Sequence, residues 1–177
     1  RVIRDIPGED ILAGSRVTNF RAVAEDEMRR RGVRSRDIRA REIRSFDVSM
    51  EDVHLEVLRY RTSSGGESFL SYVTRDDRLA GFLRLALPEA PSFLEELGDA
   101  ALVREVHVYG SSMSIGAREE GKAQHAGLGR KLLQDAAVEA RANGFSRLSV
   151  ISSVGTREYY RRQGFSDGSL YQHRNVP

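Results

Sequence analysis

The sequence predicts an α/β or α+β fold in which one sheet is crossed by a helix, with a basic helical segment in front. Three observations carry this. Three strand-like apolar runs within residues 53–87 are separated by short turns. A fourth run, at 101–109, leads through a polar Gly- and Ser-rich loop into an amphipathic helix that starts at two glycines, Gly127 and Gly129. A fifth apolar run follows that helix.

The elements follow in order. Residues 1–14 read as an extended lead-in with turn signals at Pro7-Gly8 and Gly14-Ser15. Phe20, Val23, Ala24 and Met28 fall on one helical face. Thr18 or Asn19 is placed to cap that helix and Gly32 to end it. In residues 34–44 arginine recurs at nearly every second position. In a strand, that spacing puts several guanidinium groups on one face. Guanidinium forks suit phosphate oxygens, so an RNA backbone is one reading of Arg29, Arg30, Arg31, Arg34, Arg36, Arg39 and Arg41; the other is a strand or turn held by arginine–carboxylate pairs. Strands are expected at 53–60, 67–74 and 79–87, the first two joined by a Ser-Gly turn at 62–66 and all three forming an antiparallel meander. Residues 88–100 read as a loop with room for one helical turn at 93–97. The helix after Gly129 runs to about Asn143-Gly144, a fifth strand covers 146–152, and Thr156 caps a short helix that ends before Gly164. Residues 165–177 are a more polar tail.

Composition bounds the chemistry. The 177 residues are 40% hydrophobic and 31% charged, enough for one domain with an appendage. With no cysteine, the chain holds no disulfide, iron–sulfur cluster, thiolate zinc site or cysteine nucleophile. No apolar run reaches the length of a membrane span. No signal peptide is visible, and a start at Arg1 reads as a processed or excised fragment. Residues 1–44 hold 12 arginines against 8 acids, a surplus of four, so the remainder carries −2 of the net +2. A basic first quarter on a nearly neutral body suits a polyanion, or else a solvated helix laced with ion pairs.

Gly127 and Gly129 let a backbone curl closely around a ligand, and the helix after them offers unpaired N–H groups and a dipole that favour an anion. A dinucleotide-binding fingerprint is excluded, because Leu132 occupies the third-glycine place and the next strand ends in Ile151-Ser152 rather than an acid. A P-loop is excluded because no Gly-Lys-Ser/Thr follows. Glu105 and His107, two apart on a strand, share a face and can both accept protons. Tyr159 and Tyr160 are adjacent on a short helix and cannot share one.

A strand, then Gln124-x-x-Gly127-x-Gly129, then a helix resembles the acetyl-CoA motif of the GCN5-related N-acetyltransferases, and Tyr160-Arg161-Arg162-Gln163-Gly164-Phe165 resembles that superfamily's Tyr-x-x-x-Gly-Phe. The resemblance implies their fold, a mixed and mostly antiparallel sheet with flanking helices. It narrows further. The runs 104–110, 124–129 and 150–160, with Phe69-Leu70-Ser71-Tyr72, Arg4-Asp5-Ile6-Pro7 and residues 36–42, are similar to the family of Elongator catalytic subunits. That family implies a tRNA acetyltransferase acting in carboxymethyl-type modification of the wobble uridine, in the cytoplasm, with acetyl-CoA as cosubstrate. Its members pair this module with a radical S-adenosylmethionine domain, which is absent here along with its cluster cysteines. Ser35 stands where relatives often carry cysteine, and no metal site is expected in this chain. The expected division is a basic linker and tRNA-binding segment at 1–46 and an acetyltransferase domain at 47–177.

The same resemblance implies roles. Gln124, His125, Ala126, Gly127, Leu128, Gly129 and Arg130 would cradle the CoA pyrophosphate. Val106, His107 and Val108 would pair with the pantetheine and polarise the thioester through a backbone N–H. Tyr160, in preference to Tyr159, would protonate the leaving thiolate. Glu105 and His107 are candidate bases or structural partners, and His125 would contact phosphate, orient the thioester or brace the loop. Besides tRNA, the implied partners are the radical domain of the longer enzyme and other Elongator subunits or a second copy; no membrane is implied. Two other readings stay open: a protein or small-amine N-acetyltransferase, and a non-catalytic tRNA-binding module gated by acetyl-CoA.

Overall fold

A computed structural model describes residues 7–17, 19–43, 49–98, 100–109 and 127–176. The chain forms two compact units, Arg1–Arg41 and Glu42–Pro177.

In the first unit, a 3-10 turn at Gly8–Asp10 precedes helix α1, Phe20–Arg30. Of the two expected caps, Asn19 serves: its side chain accepts the Ala22 N–H at 3.4 Å, while Thr18 lies outside the described residues. Gly32 follows with φ of 68°, the left-handed geometry that ends a helix at little cost to glycine. The strand reading fails over residues 34–41. Residues 33–36 have no regular structure, and Ile38–Arg41 is a single helical turn, α2. Asp37 is the cause. Its carboxylate accepts the Arg39 N–H at 2.9 Å and also holds Arg21 at 2.6 Å, and these local bonds outcompete an extended backbone.

The second unit is a seven-stranded sheet of order β1-β2-β3-β4-β5-β7-β6. Its strands are β1 Val53–Thr62, β2 Gly65–Thr74, β3 Leu79–Pro88, β4 Ala101–Val108, β5 Arg147–Val150, β6 Ser166–Asp167 and β7 Gln172–Asn175. All neighbours are antiparallel except β4 and β5, so the mixed, mostly antiparallel sheet is as expected. The β1–β2 turn is tighter than expected, because Gly65 at φ 134° lets pairing continue to Thr62↔Gly65. The polar tail contains β6 and β7. Their short, polar runs carry no alternating pattern, and β7 forms by pairing Leu148 and Ser149 with Arg174 and His173.

Helix α3, Leu128–Ala142, packs on one face of the sheet through Leu128, Leu132, Leu133, Ala136 and Ala140, all buried with Leu70, Leu83, Leu85, Leu148 and Val150. Each such leucine contributes about 1.5–3 kcal/mol of burial. Polar clamps fix its register. The buried Glu139 carboxylate receives both arms of Arg59, at 2.6 and 2.7 Å, and the Ser68 hydroxyl at 2.8 Å. Tyr72 donates to Asp135 at 2.6 Å. The Arg59 guanidinium, with the hydroxyl of Ser68, holds Glu139 below the usual carboxylate range despite its burial. Gly144, at φ 86°, ends the helix after Asn143.

Helix α4, Arg157–Arg162, follows a 3-10 turn at Val154–Thr156. Thr156 does not cap it through its side chain; its hydroxyl bonds the Ser153 carbonyl at 3.1 Å instead. Gly164, at φ 85°, turns the chain into β6.

Candidate active site

The site is built on a divergence between β4 and β5. These strands pair only from Ala101↔Leu148 to Val103↔Val150, and β5 ends there while β4 continues to Val108. Pairing with β3 skips Arg104, so β4 bulges at that residue, where Leu85 meets Val103 and Arg84 meets Glu105. Beyond the bulge the Tyr109 N–H donates to the Ala80 carbonyl at 2.9 Å. The alternation of an antiparallel ladder then aims the N–H and C=O groups of Val106 and Val108 away from β3, into the gap left by β5. No strand of the described residues pairs with that edge.

The N-terminus of α3 meets the same edge. A Cβ at Gly81 would approach Leu128 at 3.1 Å and the His107 carbonyl at 2.9 Å, so a glycine there lets β3 and β4 seat the start of the helix closely. Gly127 caps α3 with φ of −89° and no side-chain bond, and a Cβ on it would meet nothing within 4 Å. Gly129 is different. A Cβ there would lie 2.6 Å from the Tyr159 hydroxyl and 3.7 Å from the Val108 side chain. Gly129, Val108 and Tyr159 therefore converge where α3 begins. Leu128 is buried and Arg130 exposed. Gln124, His125 and Ala126 lie outside the described residues.

Both tyrosines of α4 pack against the core. Tyr160 meets Tyr159 edge-on at 5.3 Å between ring centroids and Phe165 at 5.5 Å. Among the described residues neither hydroxyl has a hydrogen-bond partner. Burial, and then the neighbouring Tyr160, pushes the Tyr159 phenol up to about 12; burial raises Tyr160 as well. Both are neutral donors at physiological pH.

On the sheet face opposite α3, Glu105 and His107 share an exposed surface, as their spacing predicts. Glu105 lies 3.7 Å from the Arg84 guanidinium, and the His107 ring stacks on Phe82 at 5.9 Å and meets Tyr109 at 4.5 Å. One step deeper on this face is a cluster absent from the sequence reading. Glu67, buried, accepts from Tyr60 and from Arg84 at 2.7 Å, with Arg104 at 3.9 Å. Burial alone would raise its carboxyl; the bonds from Arg84 and Tyr60 outweigh that and hold it below the usual range. The signal for it was Glu67 as the one charged residue of β2. A second polar group, Ser149–His173–Glu96 at 2.8 and 3.1 Å, has the connectivity of a hydrolytic triad, but Ser149 is fully buried and the group braces β5, β7 and the loop before β4.

The arginines of the first unit divide. Arg29, Arg30 and Arg31 pair with Asp26 and Glu27 on α1, the solvated-helix arrangement. Arg36 and Arg39 are exposed and make no ion pair with the described residues. Among the described residues no cluster of three His, Asp or Glu could hold a metal, and no helix is long and apolar enough to cross a membrane.

The family described as Acetyltransferase (GNAT) matches residues 35–165. The chain belongs to the GNAT acetyltransferase family. This GNAT chain, and so its acetyl-CoA-using fold, is further similar to Elongator complex protein 3 of Danio rerio, 39% identical over 99% of the chain and 33% of that protein. It is 46% identical to the tRNA uridine(34) acetyltransferase of Dehalococcoides mccartyi over 63% of the chain and 25% of that protein. Among solved structures, the archaeal Methanocaldococcus infernus Elp3 superposes with a TM-score of 0.81 at 33% identity, covering 99% of this chain and 43% of that one. The chain thus spans about a third of the length of the curated Elongator relatives it matches.

Proposed function

We propose that the chain is the acetyltransferase module of a tRNA wobble-uridine modifying enzyme of the carboxymethyl type, working in the cytoplasm beside a radical S-adenosylmethionine domain and other Elongator-type subunits. The observation that carries the acetyl-transfer part is the edge of β4 that no described strand covers, beside the start of α3, with the Tyr159 hydroxyl, which has no hydrogen-bond partner among the described residues, against Gly129. The likeness to Elongator complex protein 3 over 99% of the chain and to a tRNA uridine(34) acetyltransferase over 63% of it supports the tRNA part.

In this reading acetyl-CoA is the cosubstrate. Residues 124–130 hold its pyrophosphate at the helix N-terminus, where unpaired N–H groups and the dipole favour anions. The outward N–H of Val106 or Val108 polarises the thioester oxygen. Tyr160 donates a proton to the departing sulfur, and Tyr159 closes the cradle against Gly129. Glu105 and His107 face the acceptor side. Residues 1–46 contribute RNA contacts and 47–177 the acetyltransferase domain.

The two glycines test the cradle separately. Gly127→Ala is expected to leave thermal unfolding unchanged, because a Cβ there meets open space at an ordinary φ. It should weaken acetyl-CoA binding by calorimetry about tenfold, since only a close ligand would meet the new methyl. Gly129→Ala displaces the Tyr159 hydroxyl and should lower both affinity and unfolding temperature. Unchanged affinity in both variants would remove the cradle.

Function is read by CoA release from acetyl-CoA with and without tRNA. Stimulation by tRNA is the expected outcome; stimulation only by a lysine peptide supports a protein N-acetyltransferase, and binding without turnover a gated tRNA-binding module. Charge reversal at Arg36 and Arg39 is expected to weaken tRNA binding and to reduce its salt slope by about 1 for each phosphate that is no longer neutralised, while reversal at the paired Arg30 does less.

A further inference from the structure

The face opposite α3 carries an aromatic ladder. Phe69 on β2, Phe82 on β3 and His107 on β4 stand on neighbouring strands. Their ring centroids are 5.0 Å and 5.9 Å apart, with interplanar angles of 21° and 9°. Each rung therefore lies nearly parallel to the last, at about the spacing of adjacent strands. Tyr109, two residues beyond His107 on the same face, meets its ring at 4.5 Å and 43°, and Phe82 at 6.2 Å and 40°. Phe82, the middle rung, is buried, and His107 is exposed at the end of the ladder.

The direction of the ladder is the informative part. It runs across the sheet from β2 to β4, and the next rung would stand on β5. But β5 ends at Val150, opposite Val103, well short of His107. The stack stops at the gap that the acetyl-transfer reading assigns to the thioester. Glu105, on the same face and one alternation back, holds a half-exposed carboxylate 3.7 Å from the Arg84 guanidinium. A carboxylate and a guanidinium side by side offer an acceptor and donors to the edge of a flat ring. The edge of uracil, with an N–H between two carbonyl oxygens, is the complement of that pair.

We propose that His107 and Tyr109 form a stacking platform for the acceptor uracil, which enters unpaired and supplies the missing rung of the ladder beside the thioester, its edge read by Glu105 and Arg84. His107 then acts through the face of its ring as a positioning residue. The proposal rests on the tRNA reading above and deepens it. Base–aromatic stacking is tolerant of ring type, so a phenyl ring should replace the imidazole, whereas a proton-transferring histidine would not be replaceable in this way.

The test uses the full chain and two RNA stem–loops, identical except that one has a uridine and the other an abasic site at the wobble position. Binding is measured by fluorescence anisotropy. Wild type should prefer the uridine RNA on the order of tenfold or more. His107→Ala and Tyr109→Ala should bring that preference toward one by weakening the uridine RNA, whereas affinity for the abasic RNA should change little. His107→Phe should retain it. A preference that is absent in wild type, that survives His107→Ala, or that is lost in His107→Phe overturns the platform. RNA-stimulated CoA release is measured in parallel on wild type. Its absence alongside an intact uridine preference would overturn the acetyl-transfer reading and leave the platform standing.

Discussion

Tyr160→Phe should lower the rate of CoA release by about 10²- to 10⁴-fold, the range of a positioned general acid, while changing acetyl-CoA affinity little. The phenyl ring keeps the edge-on contacts with Tyr159 and Phe165, so the fold should survive the loss of one oxygen. Burial keeps the Tyr160 phenol protonated at neutral pH, which a donor to a thiolate requires. Tyr159→Phe should behave differently. Its hydroxyl lies against Gly129 and Val108, so its removal should weaken acetyl-CoA binding more than it slows turnover. Single-turnover kinetics on both variants separates these outcomes. If Tyr159→Phe carries the rate loss and Tyr160→Phe the affinity loss, the two assignments are exchanged. If neither slows the reaction, the acid is not a tyrosine of α4.

Glu67→Ala should produce the largest loss of stability among polar substitutions, about 2–4 kcal/mol by denaturant unfolding. The carboxylate is almost fully buried and is the shared acceptor for Tyr60 and Arg84, with Arg104 nearby. Removing it leaves a guanidinium and a phenol under the sheet without that acceptor. Arg84 keeps some solvent and its contact with Glu105, which holds the cost below that of a fully enclosed charge. The pH dependence has a definite sign. A carboxyl held below its unfolded value contributes stability that is fully present above the ordinary carboxylate range and is lost as pH falls through the lowered folded value. The gap between wild type and Glu67→Ala should therefore be constant near neutrality and close in acid. Glu67→Gln, which keeps an acceptor of similar shape, should recover part of the loss. A gap that widens in acid would mean that the carboxyl is not the ionised centre of this cluster.

Much of the architecture was written in local pattern. The alternation in β2 and β3, the face of α1, the apolar stripe of α3 and the glycines at 32, 144 and 164 each depend on residues close in the chain, so spacing and backbone preference were enough. Two readings failed because a neighbouring polar group overruled the pattern. Asp37 converted an arginine alternation into a helical turn, and the Ser153 carbonyl took the Thr156 hydroxyl from its cap. The polar strands β6 and β7 have no pattern of their own and exist only because β5 offers them a ladder.

The sequence by itself determined the family, the order of strands and helices around Gly127 and Gly129, and which residue types could serve acetyl transfer, since each of these is a matter of spacing along the chain. Only the tertiary structure decided that β4 outruns its parallel neighbour and so turns Val106 and Val108 outward, that Tyr159 rests on Gly129, and that Phe69, Phe82 and His107 align into a stack. Those arrangements depend on where β5 stops and how α3 and α4 close on the sheet. They are sums of contacts between residues far apart in sequence, which no local periodicity records.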